Sequence, residues 1–432
     1  MKMPFSGRII RVRDILRDFI VSMIPLQRLP SSWLKKLYGF EPDFFFLIHP
    51  RDMNDIYQSM PIVQKARRWL PEWLLVRLLS LSPCYAIADI GSKQGLRGLV
   101  ISTTQLPIVL FSNPKRARAI LARAFNFMRK LVSRKCYVAL GGWWPIATDS
   151  GRECRQLLDE NDRIQVTSGH CATIVSLYWT IKQISEIGGI SLSEIDVLIV
   201  GVGRMGGGLA RYLNGKIRRI GLMDRNLNRA KEVEENLMAT SSRSIIERLP
   251  VVDDTFISTL RNHARTYRII ICTTSNYGFL VKETEIPGNC IIIDDSRPEA
   301  FPRILDLQRH IAVIEGGLIR IDGIQVSRDF GFGETDDVFG CLAEAFLLTL
   351  DSGNKLPPSI GEVDQKELNQ MLEFCRTHGI SEGLLRSGHR IVSKQTIKQI
   401  LNSRHEEDLP GIEKARAASL LKRENGNGFS IK

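Results

Sequence analysis

Two sets of residues in this 432-residue chain have the types and spacing that chemistry needs. The first is Gly201, Gly203 and Gly206, which follow directly on the apolar run Val197-Leu-Ile-Val200. Leu209, Ala210, Tyr212 and Leu213 come next at helical spacing. Strand, Gly-x-Gly-x-x-Gly and helix in that order form a dinucleotide-binding turn. Gly201 permits the tight turn, Gly203 lets backbone approach a pyrophosphate, and Gly206 lets helix and strand pack closely. The helix N-terminus, with Arg204 and Met205, faces the anion. The second set is Cys341 near the start of a helical stretch, with Glu344 three residues on and so on the same face. A thiol there is a candidate nucleophile, because a helix N-terminus lowers a thiol pKa. The same cysteine also reads as a small buried residue between Phe339 and Leu342. Glu344 either steers a proton or fixes the helix, and His170 is the candidate base by chain context.

The elements that must position these residues alternate in type. Val197 to Val200, Arg219-Ile-Gly-Leu-Met223, Arg268-Ile-Ile-Ile-Cys272, Ile291-Ile-Ile293 and Ile311-Ala-Val-Ile314 read as strands buried on both faces. Helical patterns lie between several of them, as from Asn226 to Met238. This βαβ rhythm predicts an α/β fold with a Rossmann-type, doubly wound parallel sheet. Ligands bind such sheets outside the carboxyl ends of the strands. That edge offers Thr273, Thr274 and Ser275, then Asp294, Asp295, Gly316 and Gly317.

Upstream, Phe44-Phe-Phe-Leu-Ile48 and Tyr137-Val-Ala-Leu140 predict strands of another α/β unit. Leu99 to Ser102 and Ile108 to Phe111 are strands or apolar loops, and Pro114 to Val132 is a helix. Trp69, Trp73 and the leucines around them read as a core-packing helical stretch, with wrapping of a large apolar substrate as the alternative. A helix is expected from Asp336 to Leu350, with Asp336 and Asp337 as cap and dipole partners. The expected division is 1–42, a basic amphipathic extension; 43–187, the first α/β domain; 188–334, the Rossmann domain; 335–385, C-terminal helices carrying Cys341; and 386–432, a polar basic tail.

Composition narrows the function classes. The chain is 44% hydrophobic and 25% charged, as soluble globular proteins are. Its eight cysteines show no Cys-x-x-Cys spacing, so no metal site is predicted and reduced thiols in a cytosolic compartment are expected. No apolar run reaches the ~18 residues that span a bilayer. Arg8, Arg11, Arg13 and Arg17 among apolar residues predict either a helix lying on a membrane surface or one packed on its own domain. A net charge of +12 favours an acidic partner. No zinc finger or aromatic-basic motif appears, so nucleic acid is not expected.

Six separated stretches together resemble a known family: Phe45-Phe-Leu-Ile-His-Pro-Arg51, Ala139-Leu-Gly-Gly142, Thr167-Ser-Gly169, the glycine loop, Val313-Ile-Glu-Gly-Gly317 and Phe339-Gly-Cys-Leu-Ala-Glu-Ala-Phe-Leu-Leu348. The chain from about 43 to about 385 is similar to the long-chain acyl-acyl-carrier-protein reductases of cyanobacteria. The resemblance implies that Cys341 takes a fatty acyl group from a carrier-protein thioester, and that a nicotinamide then reduces it to a fatty aldehyde. Residues 43–187 would then form the acyl-substrate domain. An acidic acyl carrier protein is the implied partner, with Lys35, Lys36, Arg67, Arg68, Arg116, Arg118, Arg123 and Arg129 as candidate docking residues. Coenzyme A thioesters are an alternative substrate. Three features depart from the family pattern: His170 in place of an asparagine, Asp224, and a glycine loop one residue shorter.

Cofactor choice turns on Met223-Asp224-Arg225-Asn226. An acidic residue at this strand end grips the ribose hydroxyls of NAD, whereas an arginine pairs with the 2′-phosphate of NADP. Arg225 matches the family's arginine, which implies NADPH, with Arg229 one helical turn on. Asp224 keeps NADH open. Two other functions compete: a shikimate- or amino-acid-type dehydrogenase, which would use a Lys or Asp dyad instead of a thiol, and a non-catalytic nucleotide-gated module that docks on a carrier protein or membrane.

Overall fold

The computed structural model describes residues 30–59, 61–79, 84–159, 162–240, 244–251, 255–275, 280–333 and 335–403. The predicted amphipathic extension up to residue 29, and the tail from 404 onward, lie outside the described residues.

Two sheets organise the chain. The first is built on β1 (Phe44–Ile48), β2 (Cys84–Gly91), β3 (Arg97–Thr103), β4 (Cys136–Leu140) and β5 (Ile164–Thr167). The second is built on β6 (Asp196–Val200), β7 (Arg219–Asp224), β8 (Ile245–Pro250), β9 (Ile269–Cys272), β10 (Cys290–Asp294), β11 (Leu305–Asp306) and β12 (Ile311–Glu315). Its order is β11-β12-β10-β9-β6-β7-β8, parallel throughout except for β11 against β12. From β6 the chain winds outward through β7 and β8, then crosses back to β9 on the other side. The switch point therefore lies between β6 and β9, where an open α/β sheet leaves a crevice. The α/β, doubly wound fold is as predicted.

Residue alternation shows why these strands are apolar throughout. Val197 and Ile199 of β6 pack on one side, under the central helix His170–Gly188 and the glycine-loop helix Arg204–Leu213. Leu198 and Val200 pack on the other, against Leu260 of the helix Phe256–His263. With both faces covered, a polar residue on either would be buried without solvent. In β1, likewise, Phe44 and Phe46 join the core that includes the central helix, whereas Phe45 and Leu47 face Leu121 and Phe125 of the helix Pro114–Leu131.

The chain does not divide as predicted. After β12, the strands β13 (Leu318–Arg320) and β14 (Gln325–Val326) lead back to the first sheet, where β14 completes the edge beside β2. The first sheet thus runs β14-β2-β3-β1-β4-β5. The strand β15 (Asp337–Phe339) pairs with β13 and replaces the expected helix start; the Cys341 helix spans Gly340–Leu350. That helix packs on β1 and β4 and belongs to the first domain. Residues 386–403 are folded, not a polar tail: Ile397 and Ile400 of the helix Lys394–Asn402 are fully buried. Residues 107–112 form a helix, where a strand or loop was expected. Trp69 and Trp73 are 86% and 65% exposed, so they do not pack in a core among the described residues. None of the described helices is long and apolar enough to cross a membrane.

Candidate active site

Between the two sheets lies a cleft of ≈ 1030 Å³. Ligand pockets are roughly 300–1,000 Å³, so this one has room for a dinucleotide with part of a second molecule. Its floor combines the carboxyl edge of the second sheet with the start of the Cys341 helix.

The dinucleotide side is built by the glycine loop. Gly201 has φ +87°, a conformation that favours glycine, and its N–H donates to the Met223 carbonyl at 2.8 Å. A Cβ on Gly206 would lie 2.0 Å from the Gly201 oxygen and 2.6 Å from Thr273 Oγ1, so no other residue allows this helix to approach the strand. A Cβ on Gly203 would meet only Arg229 Nη1 at 3.9 Å. Open space above Gly203, at a helix N-terminus with no side-chain cap, is what a pyrophosphate requires. The loop therefore fits a dinucleotide. Thr273 Oγ1 donates to the Gly201 carbonyl at 2.6 Å and ties β9 to the loop. Thr274, paired with Ser296 at 3.2 Å, and Ser275 line the cleft, as do Met205 and Gly317; Gly316 lies behind them, where its N–H donates to the Asp294 carbonyl at 3.0 Å.

Two cofactor expectations, Asp224 and Arg225, need correction. Asp224 is held by its own turn: Oδ2 accepts the Val202 N–H and Oδ1 the Asn226 N–H, both at 2.8 Å. It does not line the cleft, and neither does Arg225; Arg229, 3.9 Å from Asp224, and Arg211 do. Arg204 turns across the cleft to Asp149 of the first domain and to Glu362, at 3.5 Å from the latter. It joins the domains in addition to flanking the loop.

The thiol side is assembled from distant segments. Cys341 stands in the first turn of its helix and is partly exposed to the cleft. Gly169, with φ +74°, lies so close that a Cβ there would be 2.4 Å from the Cys341 Cβ. Gly340 abuts Thr173, and its N–H donates to the Gly317 carbonyl at 2.6 Å. Burial, with Asp295 adding to it and Arg297 opposing, pushes the Cys341 thiol up to about 12. The helix N-terminus was expected to lower it; desolvation outweighs the backbone N–H groups of Cys341 and Leu342. Asp336 and Asp337 have no part in this, because they face Arg320, and Asp337 also Arg386 at 2.9 Å.

Glu344 is not a cleft residue. Fully buried, it accepts from Ala172 N at 2.9 Å, Ser359 N at 3.2 Å, and the hydroxyls of Thr167 and Ser359. It clamps the Thr167-Ser168-Gly169 turn to the Cys341 helix and so positions the cysteine. His170 does line the cleft; burial pushes its imidazole down to about 4, and its Nδ1 has no hydrogen-bond partner. His49 is structural: Nδ1 meets the Pro50 carbonyl at 2.9 Å and Nε2 accepts the Trp143 N–H at 2.8 Å. Sequence reading missed Arg297 as a cleft residue. Its cation sits 4.9 Å over the Phe339 ring and pairs with Glu315 at 3.1 Å. The available signal was its place just beyond the carboxyl end of β10. Among the described residues, no cluster of three or more His, Cys, Asp or Glu is arranged to hold a metal ion.

No protein-family model and no curated protein matches the chain. Solved structures with a similar layout include a shikimate dehydrogenase in complex with NADP+, at 13% identity and a TM-score of 0.30, over 60% of this chain and 77% of that one. L-tryptophan dehydrogenase from Nostoc punctiforme matches at 13% identity and a TM-score of 0.32, over 89% of each chain. The NAD-dependent malic enzyme from Thermotoga maritima matches at 11% and 0.32, over 88% of this chain and 91% of that one.

Proposed function

We propose that this chain is an NADPH-dependent oxidoreductase that takes a fatty acyl group from a thioester onto Cys341 and releases it as the aldehyde. One observation carries the reading: a cysteine thiol opens into a cleft of mixed polarity, shared with the dinucleotide loop, that has an apolar stretch of wall. Phe46, Ile48, Ile87, Leu140 and Phe339 supply that wall, and no lysine lines the cleft among the described residues.

Each residue then has a task. The Gly203 backbone and the N-terminus of its helix would hold the pyrophosphate. Arg229 and Arg211 would meet a 2′-phosphate, while Asp224 remains engaged by Val202 and Asn226, which favours NADPH over NADH. When bound, the dinucleotide supplies the hydride. Cys341 Sγ accepts the acyl group, and the apolar wall shields that thioester from water. A carrier protein, being acidic, would dock on the basic helix faces. Lys35, Arg118 and Arg129 are already paired with Glu41, Glu153 and Asp162, so Lys36, Arg68, Arg116 and Arg123 are the better docking candidates.

A second reading is a dehydrogenase of a small polar substrate, as several of the similar structures are by name. The charged side chains Arg51 and Arg297, which also line the cleft, favour it. Aldehyde formation from palmitoyl thioesters of carrier protein and of coenzyme A with NADPH, run beside NADP-linked oxidation of shikimate, malate and tryptophan, separates the two. Aldehyde without oxidation of the polar substrates supports the acyl reading, and the reverse pattern replaces it.

A further inference from the structure

Asp294 and Asp295 are adjacent at the end of β10 and have opposite fates. The Asp294 carboxylate is fully buried and accepts from Ser296 N, Ala300 N and Phe301 N at 3.0–3.1 Å, with Arg303 at 3.1 Å. Asp295 turns into the cleft, and among the described residues no hydrogen bond or ion pair reaches its carboxylate. Asp295 is only partly buried, so its carboxylate is open to a proton donor in the cleft.

Its position is set by the glycine pair. A Cβ on Gly317 would lie 2.3 Å from Asp295 Oδ1, and one on Gly316 would lie 2.8–3.0 Å from Asp295 itself. Gly317 in turn accepts the N–H of Gly340, the residue before Cys341. One glycine thus bears the Asp295 carboxylate on one side and the start of the Cys341 helix on the other. The charges that face Asp295 are Arg297, Asp294, Glu315 and Arg303, besides Cys341 itself. Both arginines are engaged elsewhere: Arg297 with Glu315 at 3.1 Å, and Arg303 with Glu315 at 2.5 Å and with Asp294.

We propose that Asp295 is the residue that accepts the Cys341 proton when the thiol is acylated. The assignment rests on the acyl-thioester reading above. As Sγ bonds to the acyl carbon, its proton moves through one bridging water in the cleft to the Asp295 carboxylate. The bond from the acyl carbon to the donor sulfur breaks, and the proton passes from Asp295 to the departing thiolate. Nothing is oxidised or reduced in this half-reaction. Burial, only partly offset by Arg297, pushes Asp295 up to about 7, so near neutrality it can both take and return a proton. His170, pushed down to about 4, is the weaker base.

The test uses the whole chain without dinucleotide. Transfer of a radiolabelled palmitoyl group from palmitoyl-coenzyme A to the protein is followed in a single turnover from pH 5.5 to 9, for wild type and Asp295→Asn. In parallel, the alkylation rate of Cys341 by iodoacetamide is read by peptide mass. Wild-type acylation should rise through pH about 7. Asp295→Asn should acylate ~100-fold more slowly at pH 8, as loss of a general base does, and should lose that pH step. Its Cys341 should nevertheless alkylate several-fold faster, because a carboxylate no longer opposes the thiolate. Opposite signs in the two arms are not what a merely structural defect gives. Equal acylation rates with the same pH profile, or both reactions slowing together, overturn the proposal. If wild type takes no label, the acyl reading fails and the acylation step with it. The alkylation arm then decides the Asp295–Cys341 coupling by itself, and identical profiles refute it.

Discussion

The two sides of the cleft are made in different ways. The dinucleotide side comes from one contiguous run, β6 through the helix ending at Leu213, and its exacting contact, Gly206 on the Gly201 oxygen, lies within five residues. The thiol side draws Gly169, Thr173, Asp295, Gly317 and Gly340 from four stretches of chain and packs them around Cys341. Local backbone geometry builds the first; tertiary packing of glycines against a helix start builds the second. A change on the first side should act through one loop, whereas a change on the second should travel between domains.

The largest expected contrast is within the loop. Gly206→Ala forces a methyl to 2.0 Å from a carbonyl oxygen and should cost about 3 kcal/mol or more of stability, read as a lower Tm. Gly203→Ala meets open space, so its stability should stay within about 0.5 kcal/mol of wild type, read as a nearly unchanged Tm. Its NADPH affinity, measured by calorimetry, should fall at least ~10-fold, because the methyl occupies the anion's approach. Equal stability losses in the two variants would break the assignment of their roles.

On the thiol side, Gly169→Ala combines a φ of +74° with a contact of 2.4 Å to the Cys341 Cβ. It should cost about 1–3 kcal/mol and also abolish acylation of Cys341, although residue 169 is remote from it in sequence. Retained acylation would show that the glycine does not set the thiol. Glu344→Gln should lose about 1–3 kcal/mol through its buried hydrogen bonds while Cys341 still takes label. A variant with unchanged Tm and no labelling would return Glu344 to the chemistry.

A further effect is a pH dependence. The carboxyl pKa of Asp295 is raised in the folded state, so the native state holds this proton more tightly than the unfolded chain. Its contribution to stability is complete below about pH 4 and is lost as pH rises through about 7. Asp295→Asn should therefore melt higher than wild type at pH 8, and the gap should close towards pH 5. A gap that widens on acidification contradicts the raised pKa.

How much of this was legible follows the same division. The doubly wound sheet, the glycine loop and the strand-end threonines could be read because apolar runs and glycine spacing are local signals. Arg225 was named because it matches the family's arginine; the turn that engages Asp224, and that leaves Arg229 beside Gly203, is visible only in the fold. Glu344 shares a helical turn with Cys341, yet only the fold shows its carboxylate directed at Thr167 and Ser359. The strand over Asp337–Phe339 was read as helix because its partner β13 lies nearly twenty residues earlier. Helix-end electrostatics predicted a lowered thiol pKa at Cys341; burial, which sequence does not display, reverses the sign.

The central claim is that Cys341 carries the acyl group, and intact mass spectrometry tests it most directly. Full-length protein is incubated with palmitoyl-carrier protein without dinucleotide, digested and mapped. The account predicts a single palmitoyl adduct on the peptide containing Cys341, absent from Cys341→Ala and discharged as aldehyde on adding NADPH. An adduct on another residue, or aldehyde formation by Cys341→Ala at the wild-type rate, would contradict it.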